Sequence, residues 1–143
     1  MKSVQPLSAA DAAYLAGLID GEGTIAMSRR HADERRHLVL SISSTERELV
    51  EWARHATGVG KITRKRTVSP VHATGLTYSV SNRQALAVLQ QVSPFLRSYK
   101  RERARLVLER YLQVTPRNGR YSNDLATRRC EFEDVFAALT PRR

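Results

Sequence analysis

The chain has 143 residues, of which 41% are hydrophobic and 27% charged, a composition typical of one soluble globular domain. Its single cysteine, Cys130, excludes an intramolecular disulfide framework and cysteine-rich zinc or iron–sulfur sites. No apolar run reaches the length of a membrane span, and the first residues lack the apolar core of a signal peptide. We therefore expect an intracellular protein without a membrane partner.

Charge is unevenly distributed along the chain. The net charge is +10, and residues 61–130 alone carry 15 basic and 3 acidic side chains, a net charge of +12. Of the basic residues, 20 are arginine, whose planar guanidinium matches phosphate oxygens and guanine edges. This excess favours a nucleic-acid partner, with a basic surface kept for solubility as the alternative.

The first predicted element is a helix over residues 8–20, with Ser8 as its N-cap and Gly21 as its end. Small residues recur at every fourth position along one stripe of this helix: Ala9, Ala13, Gly17 and Gly21. The stripe could pack on the chain's own sheet, but the apolar residues beside it already supply a face for that contact. We favour the interpretation that a second helix packs against the small residues.

Two hairpins are predicted next. Alternation of apolar and polar residues over residues 24–30 and 36–43 predicts the first, and residues 61–67 and 76–81 predict the second. Successive side chains of a strand point to opposite faces, so one face of each hairpin is apolar and the other is mostly polar. We expect one face of the sheet to lie on the core and the other to stay open.

Helices are predicted between and after the hairpins. Thr45 and Glu48 form a capping box for a helix that ends at Gly58. Ser81 begins a helix that ends before Pro94, and residues 98–113 form another. Short helical pieces beginning at residue 122 and spanning residues 131–139 complete the chain.

This order of elements predicts an α+β fold, αββαββα, with helices on one face of an antiparallel sheet. We expect a single domain over residues 1–143, with a core of about 8–113 and a helical tail over 114–143. A two-stranded ribbon fits the major groove of DNA, so the polar face is a candidate DNA-binding surface, with a merely solvated face as the alternative. Its predicted DNA-binding residues are Thr24, Ser28, Arg30, His37, Ser41, Ser43, Lys61, Thr63, Lys65, Thr77 and Ser79.

Residues 15–23, LAGLIDGEG, resemble the signature of the LAGLIDADG homing endonucleases, with Gly21 and Glu22 at its seventh and eighth places. The motif closes a predicted helix and opens a predicted strand, as in that family, and the predicted order of elements is also the family's. The resemblance extends to about residue 112 through the sequences GVG at 58–60 and PFL at 94–96.

The resemblance implies that Glu22 is catalytic and holds divalent metal ions at the scissile phosphates, with the backbone carbonyl of Gly21 as a second ligand. Mg²⁺ is the implied cofactor, and Mn²⁺ or Ca²⁺ would substitute for it in binding. The resemblance also places Ala13, Gly17 and Asp20 at the dimer interface. An ordinary exposed carboxylate is the alternative for Glu22.

Two further catalytic positions follow from the resemblance. Lys100 takes the place of a basic residue that stabilises charge on the phosphate, and phosphate anchoring without catalysis remains open. Ser44 takes the place of a glutamine that orients the attacking water. Because serine is shorter, either a second water spans the gap or the activity is weak or lost.

We therefore expect a metal-dependent homing endonuclease that hydrolyses one phosphodiester on each strand of a long target. A chain with one motif implies a homodimer and a near-palindromic double-stranded DNA target. An intron or intein would carry the gene, and the site of action would be a bacterial or phage cytoplasm or an organelle. The alternative is a non-catalytic binder: a maturase on intron RNA, or an inactivated nuclease. The presence of Glu22 favours the enzyme, and the presence of Ser44 favours the non-catalytic alternative.

Overall fold

The computed structural model describes residues 1–64 and 75–142. The described elements are α1 (Ala9–Glu22), β1 (Gly23–Ser28), β2 (His37–Ser44), α2 (Arg47–Thr57), β3 (Lys61–Arg64), β4 (Leu76–Ser81), α3 (Asn82–Val92), α4 (Lys100–Arg110) and α5 (Asn123–Ala138). Single 3₁₀ turns, Ser93–Phe95 and Leu112–Val114, flank α4. The strands form one antiparallel sheet in the order β1-β2-β4-β3, which confirms the predicted α+β fold.

The core lies between one face of this sheet and the helices. Along β1, β2 and β4 every second side chain is buried, as the alternating sequence predicts. Leu40 and Tyr78 are fully buried in a cluster that includes Leu15 of α1, Val88 of α3 and Phe132 of α5. The opposite face carries none of these apolar side chains and stays open, so the sheet has one structural face and one available for binding.

α1 begins as predicted and ends later. The Ser8 hydroxyl accepts the N–H of Asp11 at 3.1 Å, but the helix continues through Gly21 to Glu22. Its end is set at Gly23, where a Cβ atom would lie 2.7 Å from the Ile19 Cα. Only glycine allows this close passage from helix to strand, so the glycine that shapes the turn is Gly23.

The predicted capping box of α2 is wrong. Glu46 occupies the N-cap and makes no side-chain capping bond, and the helix begins at Arg47. The Ser44 hydroxyl accepts the N–H of Glu46 at 3.0 Å, so a serine-centred turn leads into the helix in place of a Thr45 cap. The predicted end is correct, since Gly58 follows the helix in the left-handed region at φ 71°.

The C-terminal helices also differ from the prediction. α4 covers Lys100–Arg110 and is shorter than the expected 98–113. The two short pieces expected in the tail form one helix, Asn123–Ala138, capped by the Ser122 hydroxyl at the Leu125 N–H. Phe132 and Phe136 are buried on one face of this helix, and their packing keeps the central turns helical.

The second hairpin is described up to Arg64 in β3 and from Leu76 in β4. The predicted strand residues 65–67, including Lys65, lie outside the described residues. Within the described ranges, no helix combines the length and the apolar character needed to cross a membrane.

Candidate active site and nucleic-acid interface

Lys100, at the start of α4, caps the C-terminal end of α1. Its ammonium donates to the carbonyls of Ile19 at 2.8 Å and Asp20 at 2.9 Å, and the side chain is only 8% exposed. The last carbonyls of a helix lack partners within the helix and attract a positive charge. Lys100 therefore fixes the end of α1, where the predicted metal ligands lie.

Asp20 ties the same helix end to the segment before α4. Its carboxylate accepts the backbone N–H groups of Arg97 at 2.9 Å and Ser98 at 3.2 Å, and the Ser98 hydroxyl at 2.6 Å. All three bonds lie within one chain. The predicted role of Asp20 between subunits stays a prediction, and its visible role is to join α1 to the segment preceding α4.

The pKa values of Asp20 and Lys100 both differ from their ordinary values. Burial works to raise the pKa of Asp20, but the hydrogen bonds from Ser98 and Arg97, with the Lys100 charge, together hold the pKa below its ordinary value of 3.8. Burial lowers the pKa of Lys100 below 10.5, although the charges of Asp20 and Glu22 oppose this shift. At neutral pH Asp20 is therefore ionised, and its charge favours the protonated form of the neighbouring Lys100.

Glu22 is the last residue of α1, and its side chain is exposed. Among the described residues, neither its carboxylate nor the carbonyl of Gly21 has a hydrogen-bond partner. These are two adjacent hard oxygen donors, the kind that Mg²⁺ and Ca²⁺ bind. No cluster of three or more histidine, cysteine, aspartate or glutamate side chains occurs in the described part of the chain.

Ser44 lies at the same end of the sheet as Glu22. Gly23 pairs with Ile42, so β2 continues through Ser43 and Ser44 beside the end of α1. The Ser44 hydroxyl accepts the Glu46 N–H, which leaves its own hydrogen available for donation. The structure thus brings Ser44 to the end of the sheet where the resemblance places it, with its oxygen engaged by the backbone.

The open face of the sheet carries rows of hydroxyl groups. Residues paired across antiparallel strands share a face. One row runs across all four strands and consists of Thr24, Ser41, Ser79 and Lys61. A second row consists of Ser43, Thr77 and Thr63, with the Ser43 and Thr77 hydroxyls 2.9 Å apart. The face offers donors and acceptors at regular strand spacings.

Other predicted DNA-binding residues lie near the tip of the first hairpin. Ser28 and His37 pair at the last register position of β1 and β2. Arg30 follows the end of β1, and its backbone N–H donates to the Glu34 carboxylate at 3.3 Å. Arg30 is therefore a residue of the turn rather than of the strand.

The positive charge of residues 61–130 lies mostly away from the open face. On the described strands this segment contributes Lys61 and Arg64, while Lys65 and Arg66 lie outside the described residues. Most of the others are on α4, α5 and the adjoining segments, and Arg129 is buried. The charge of this segment is therefore divided between the sheet and the helical layer.

The small-residue stripe of α1 faces outward. Ala13, Gly17 and Gly21 are exposed, and a Cβ atom added at either glycine would meet nothing within 4 Å. Tyr14, on the same side, packs edge-to-face on Trp52 with ring centroids 4.7 Å apart. The alternative that the stripe packs on the chain's own sheet is wrong, and the surface is open to a second helix.

Several residues that organise this region have no role predicted from the sequence. The sequence predicts Ser98 only as the start of a helix, yet it supplies two of the bonds to Asp20. Arg103 donates to the Ile25 carbonyl at 2.8 Å and Arg129 to the Val114 carbonyl at 3.0 Å. The only available signal was a serine two residues before the start of a basic helix, and the arginines offered none.

Comparison with known proteins places this geometry in a recognised fold. No protein-family model and no curated protein sequence matches the chain. Solved structures do match. The homing endonuclease I-CvuI, in complex with its target in the presence of 2 mM Ca, is 20% identical with a TM-score of 0.75, over 94% of this chain and 85% of that one.

Two other matches agree. The archaeal intron-encoded homing endonuclease I-Vdi141I, complexed with DNA, is 19% identical with a TM-score of 0.60, over 93% of this chain and 86% of that one. The LAGLIDADG meganuclease I-AabMI, bound to uncleaved DNA, is 20% identical with a TM-score of 0.66, over 92% of this chain and 46% of that one. The chain has the fold of the LAGLIDADG homing endonucleases, as the motif at residues 15–23 predicted.

Proposed function

We propose that this chain is a site-specific homing endonuclease that acts as a homodimer and hydrolyses both strands of a long, near-palindromic DNA. The observation that carries the proposal is the position of Glu22 within this fold. Its exposed carboxylate lies at the end of α1, between the outward stripe of small residues and the end of the open sheet. A metal ligand there would face both a second subunit and a nucleic acid lying on the sheet.

The donor set fits a divalent cation, with Mg²⁺ as the expected ion and Mn²⁺ or Ca²⁺ as substitutes in binding. The Glu22 carboxylate and the Gly21 carbonyl would hold it, and phosphate oxygens and water would complete its coordination. When bound, the ion would supply an activated water and stabilise the leaving oxygen. I-CvuI structures in Ca and in Mg support the use of a divalent ion by this fold.

The chain's own groups position this site. Lys100 and Asp20 immobilise the end of α1, which fixes the backbone that carries Glu22. An ammonium has three hydrogens, and two of those on Lys100 go to carbonyls. The third is available to a phosphate oxygen, so Lys100 would add positive charge where negative charge develops.

A homodimer would complete the site. Packing of Ala13 and Gly17 against the same residues of a second copy would bring two Glu22 carboxylates together. An isologous dimer presents the same surface twice, which requires a near-palindromic target. The match to 85% of the I-CvuI chain but 46% of the I-AabMI chain supports the view that one copy of this chain is half of a complete enzyme.

The alternative function is a non-catalytic binder of DNA or of intron RNA. The observation favouring it is Ser44, whose hydroxyl oxygen accepts a hydrogen bond from the Glu46 N–H and whose side chain is shorter than the glutamine of the family.

Under either function the chain would act inside a cell, in a bacterial or phage cytoplasm or in an organelle, on the DNA around an intron or intein that carries its gene.

The test is cleavage of the DNA that flanks the chain's own gene, in Mg²⁺, by the parent and by Glu22→Gln. Glu109→Gln, an exposed carboxylate of α4, is the control. We expect Glu22→Gln to lower cleavage by orders of magnitude. Specific binding, measured in Ca²⁺, should survive or tighten slightly, because a repulsive carboxylate beside the phosphates is removed.

Two outcomes would contradict the proposal. Cleavage by Glu22→Gln at the parent rate would remove Glu22 from the site. Specific binding without cleavage by the parent, in Mg²⁺ and in Mn²⁺, would establish the non-catalytic alternative.

A further inference from the structure

β2 extends beyond the strand that pairs with it. The pairing of β2 with β4 ends at Val39 and Ser81, because the chain leaves the sheet at Asn82, whose φ is 52°. In an antiparallel ladder the backbone groups of alternate residues point to the same neighbour. The N–H of Leu38 and the carbonyl of Arg36 therefore point toward β4 beyond its end, where no strand can bind them.

Two side chains of the helical layer bind these groups instead. The Tyr111 hydroxyl accepts the Leu38 N–H at 3.2 Å and donates to the Asn82 side-chain oxygen at 2.7 Å. The Arg129 guanidinium donates to the Arg36 carbonyl. Tyr111 and Arg129 thus continue the hydrogen-bonded edge of β2 past the end of β4. We call these two side chains the β2 clamp.

Arg129 is itself held firmly. It is only 2% exposed, and it donates to the Val114 carbonyl at 3.0 Å, the Thr115 hydroxyl at 2.7 Å and the Glu133 carboxylate at 2.9 Å. Glu133 also lies 3.9 Å from the guanidinium of Arg36. Burying a charge is costly unless its hydrogen bonds are satisfied. The contacts of Arg129 therefore link α5, the turn after α4 and Arg36, the residue directly before β2.

The outer edge of the same hairpin is also covered. Arg103 donates to the Ile25 carbonyl in β1 and to the Leu139 carbonyl after α5, both at 2.8 Å. Arg36 contributes a longer bond to the Met27 carbonyl at 3.5 Å. Both free edges of the hairpin are thus fastened to the C-terminal part of the chain.

The second hairpin uses a different tyrosine. Tyr78, in β4, is fully buried, and its hydroxyl bonds the Thr57 hydroxyl at 2.8 Å and the Val59 carbonyl at 3.1 Å. These partners lie just before β3, so Tyr78 fixes the start of the second hairpin. Each hairpin therefore has its own buried tyrosine hydroxyl, which makes the two tyrosines matched controls for each other.

We propose that the β2 clamp positions the distal part of the first hairpin, residues 28–38. It thereby determines how strongly the protein prefers one base over another at the DNA base pairs that this part of the hairpin contacts. The inference rests on the proposed function, since it assumes that the open face lies on DNA. This part carries Arg29, Arg30 and Arg35 in the turn and His37 on the open face. Tyr111 and Arg129 are then positioning residues, because they act on DNA only through the backbone of β2.

The test compares Tyr111→Phe with Tyr78→Phe, each of which removes one buried hydroxyl and keeps the ring. Hydrogen exchange of the free protein is measured first. We expect Tyr111→Phe to speed exchange of the amides of residues 36–39 about tenfold, with the amides of β3 unchanged. Tyr78→Phe should have the reverse effect.

Base preference is then measured on a library of randomised targets. His37→Ala identifies the base pairs that the distal part of the first hairpin contacts. Tyr111→Phe should lose discrimination about tenfold at those base pairs and keep its affinity for non-specific DNA. Tyr78→Phe should lose discrimination at other base pairs. Arg129→Lys, which keeps the charge but binds fewer acceptors, should retain part of the discrimination that Arg129→Met loses.

The outcomes separate the two proposals. A parent chain that binds no DNA overturns the proposed function and the specificity role with it. A parent that binds DNA, combined with an unchanged base preference in Tyr111→Phe, overturns the clamp alone. Equal losses at every base pair for both tyrosine variants would also overturn it, because that result indicates general destabilisation.

Discussion

The end of α1 and the open face of the sheet use polar groups in opposite ways. At the helix end, the Asp20 and Lys100 side chains make five hydrogen bonds, three to residues 97–98 and two to the last carbonyls of α1, and these bonds set their positions. On the described part of the sheet face, one bond between two hydroxyls occurs, and it lies within the second row, between Ser43 and Thr77. Under the proposed function, the helix end would need fixed geometry for its chemistry, whereas a sheet face that follows DNA would gain from hydroxyls that are free to change partners.

The largest effect is expected for the stripe that leads to the α1 end. In Gly17→Leu the new Cβ atom meets nothing within 4 Å in its own chain and the position is exposed, so the monomer should fold and gain slightly from the better helix former. In a dimer packed through this stripe, each copy adds an overpacking cost of about 1–3 kcal/mol. Sedimentation should show a dimer for the parent and a monomer for the variant. A parent protein that remains monomeric on DNA would contradict the proposed packing of α1 against α1 of a second copy.

Lys100→Met should destabilise the fold by about 2 kcal/mol, because the buried carbonyl of Ile19 and the part-buried carbonyl of Asp20 lose a charged donor. Lys61→Met, at an exposed position on the sheet face, should change the free energy of unfolding by less than about 0.5 kcal/mol. Urea unfolding measures both variants. Equal effects would mean that the two regions do not differ in how strongly they are held.

Asp20→Asn should lower the free energy of unfolding by about 1 kcal/mol at neutral pH. It should also change how that free energy decreases at acidic pH. The folded pKa of Asp20 lies below its ordinary value of 3.8, so its contribution is present above that pH. It is lost as the pH falls through the lowered pKa. Unfolding measured from pH 6 to pH 2 should show this loss in the parent and not in the variant. Asp134→Asn, at an exposed position, is the control.

The smallest effect is expected on the sheet face, where many contacts share the affinity. If Lys61 contacts one phosphate, Lys61→Ala should reduce the slope of log affinity against log salt by about 0.9. Arg30→Ala, in the turn of the first hairpin, should weaken DNA binding to a similar extent. Arg54→Ala, on α2, should matter less, since α2 lies in the helical layer. Equal losses for all three variants would remove the sheet face from the DNA interface.

Much of the fold follows from local rules in the sequence. The Ser8 cap, the start of a helix at residue 122, the stop at Gly58 and the alternation along β1, β2 and β4 depend on bonds and periodicities within a few residues. The motif around Glu22 also lies in one short window. These features could be predicted because the interactions that produce them lie close together in the chain.

Tertiary structure decided how the separate segments share their polar groups. Lys100 and Asp20 meet across about 80 residues of chain, and Arg129 reaches the Arg36 carbonyl across 93. α5 remains one helix because Phe132 and Phe136 are buried in the core, although its sequence favours two pieces. The close passage at Gly23 depends on where Ile19 and the Ser41 carbonyl lie in the fold. No sequence window contains both partners of such long-range contacts, so only the packing of the whole chain sets their geometry.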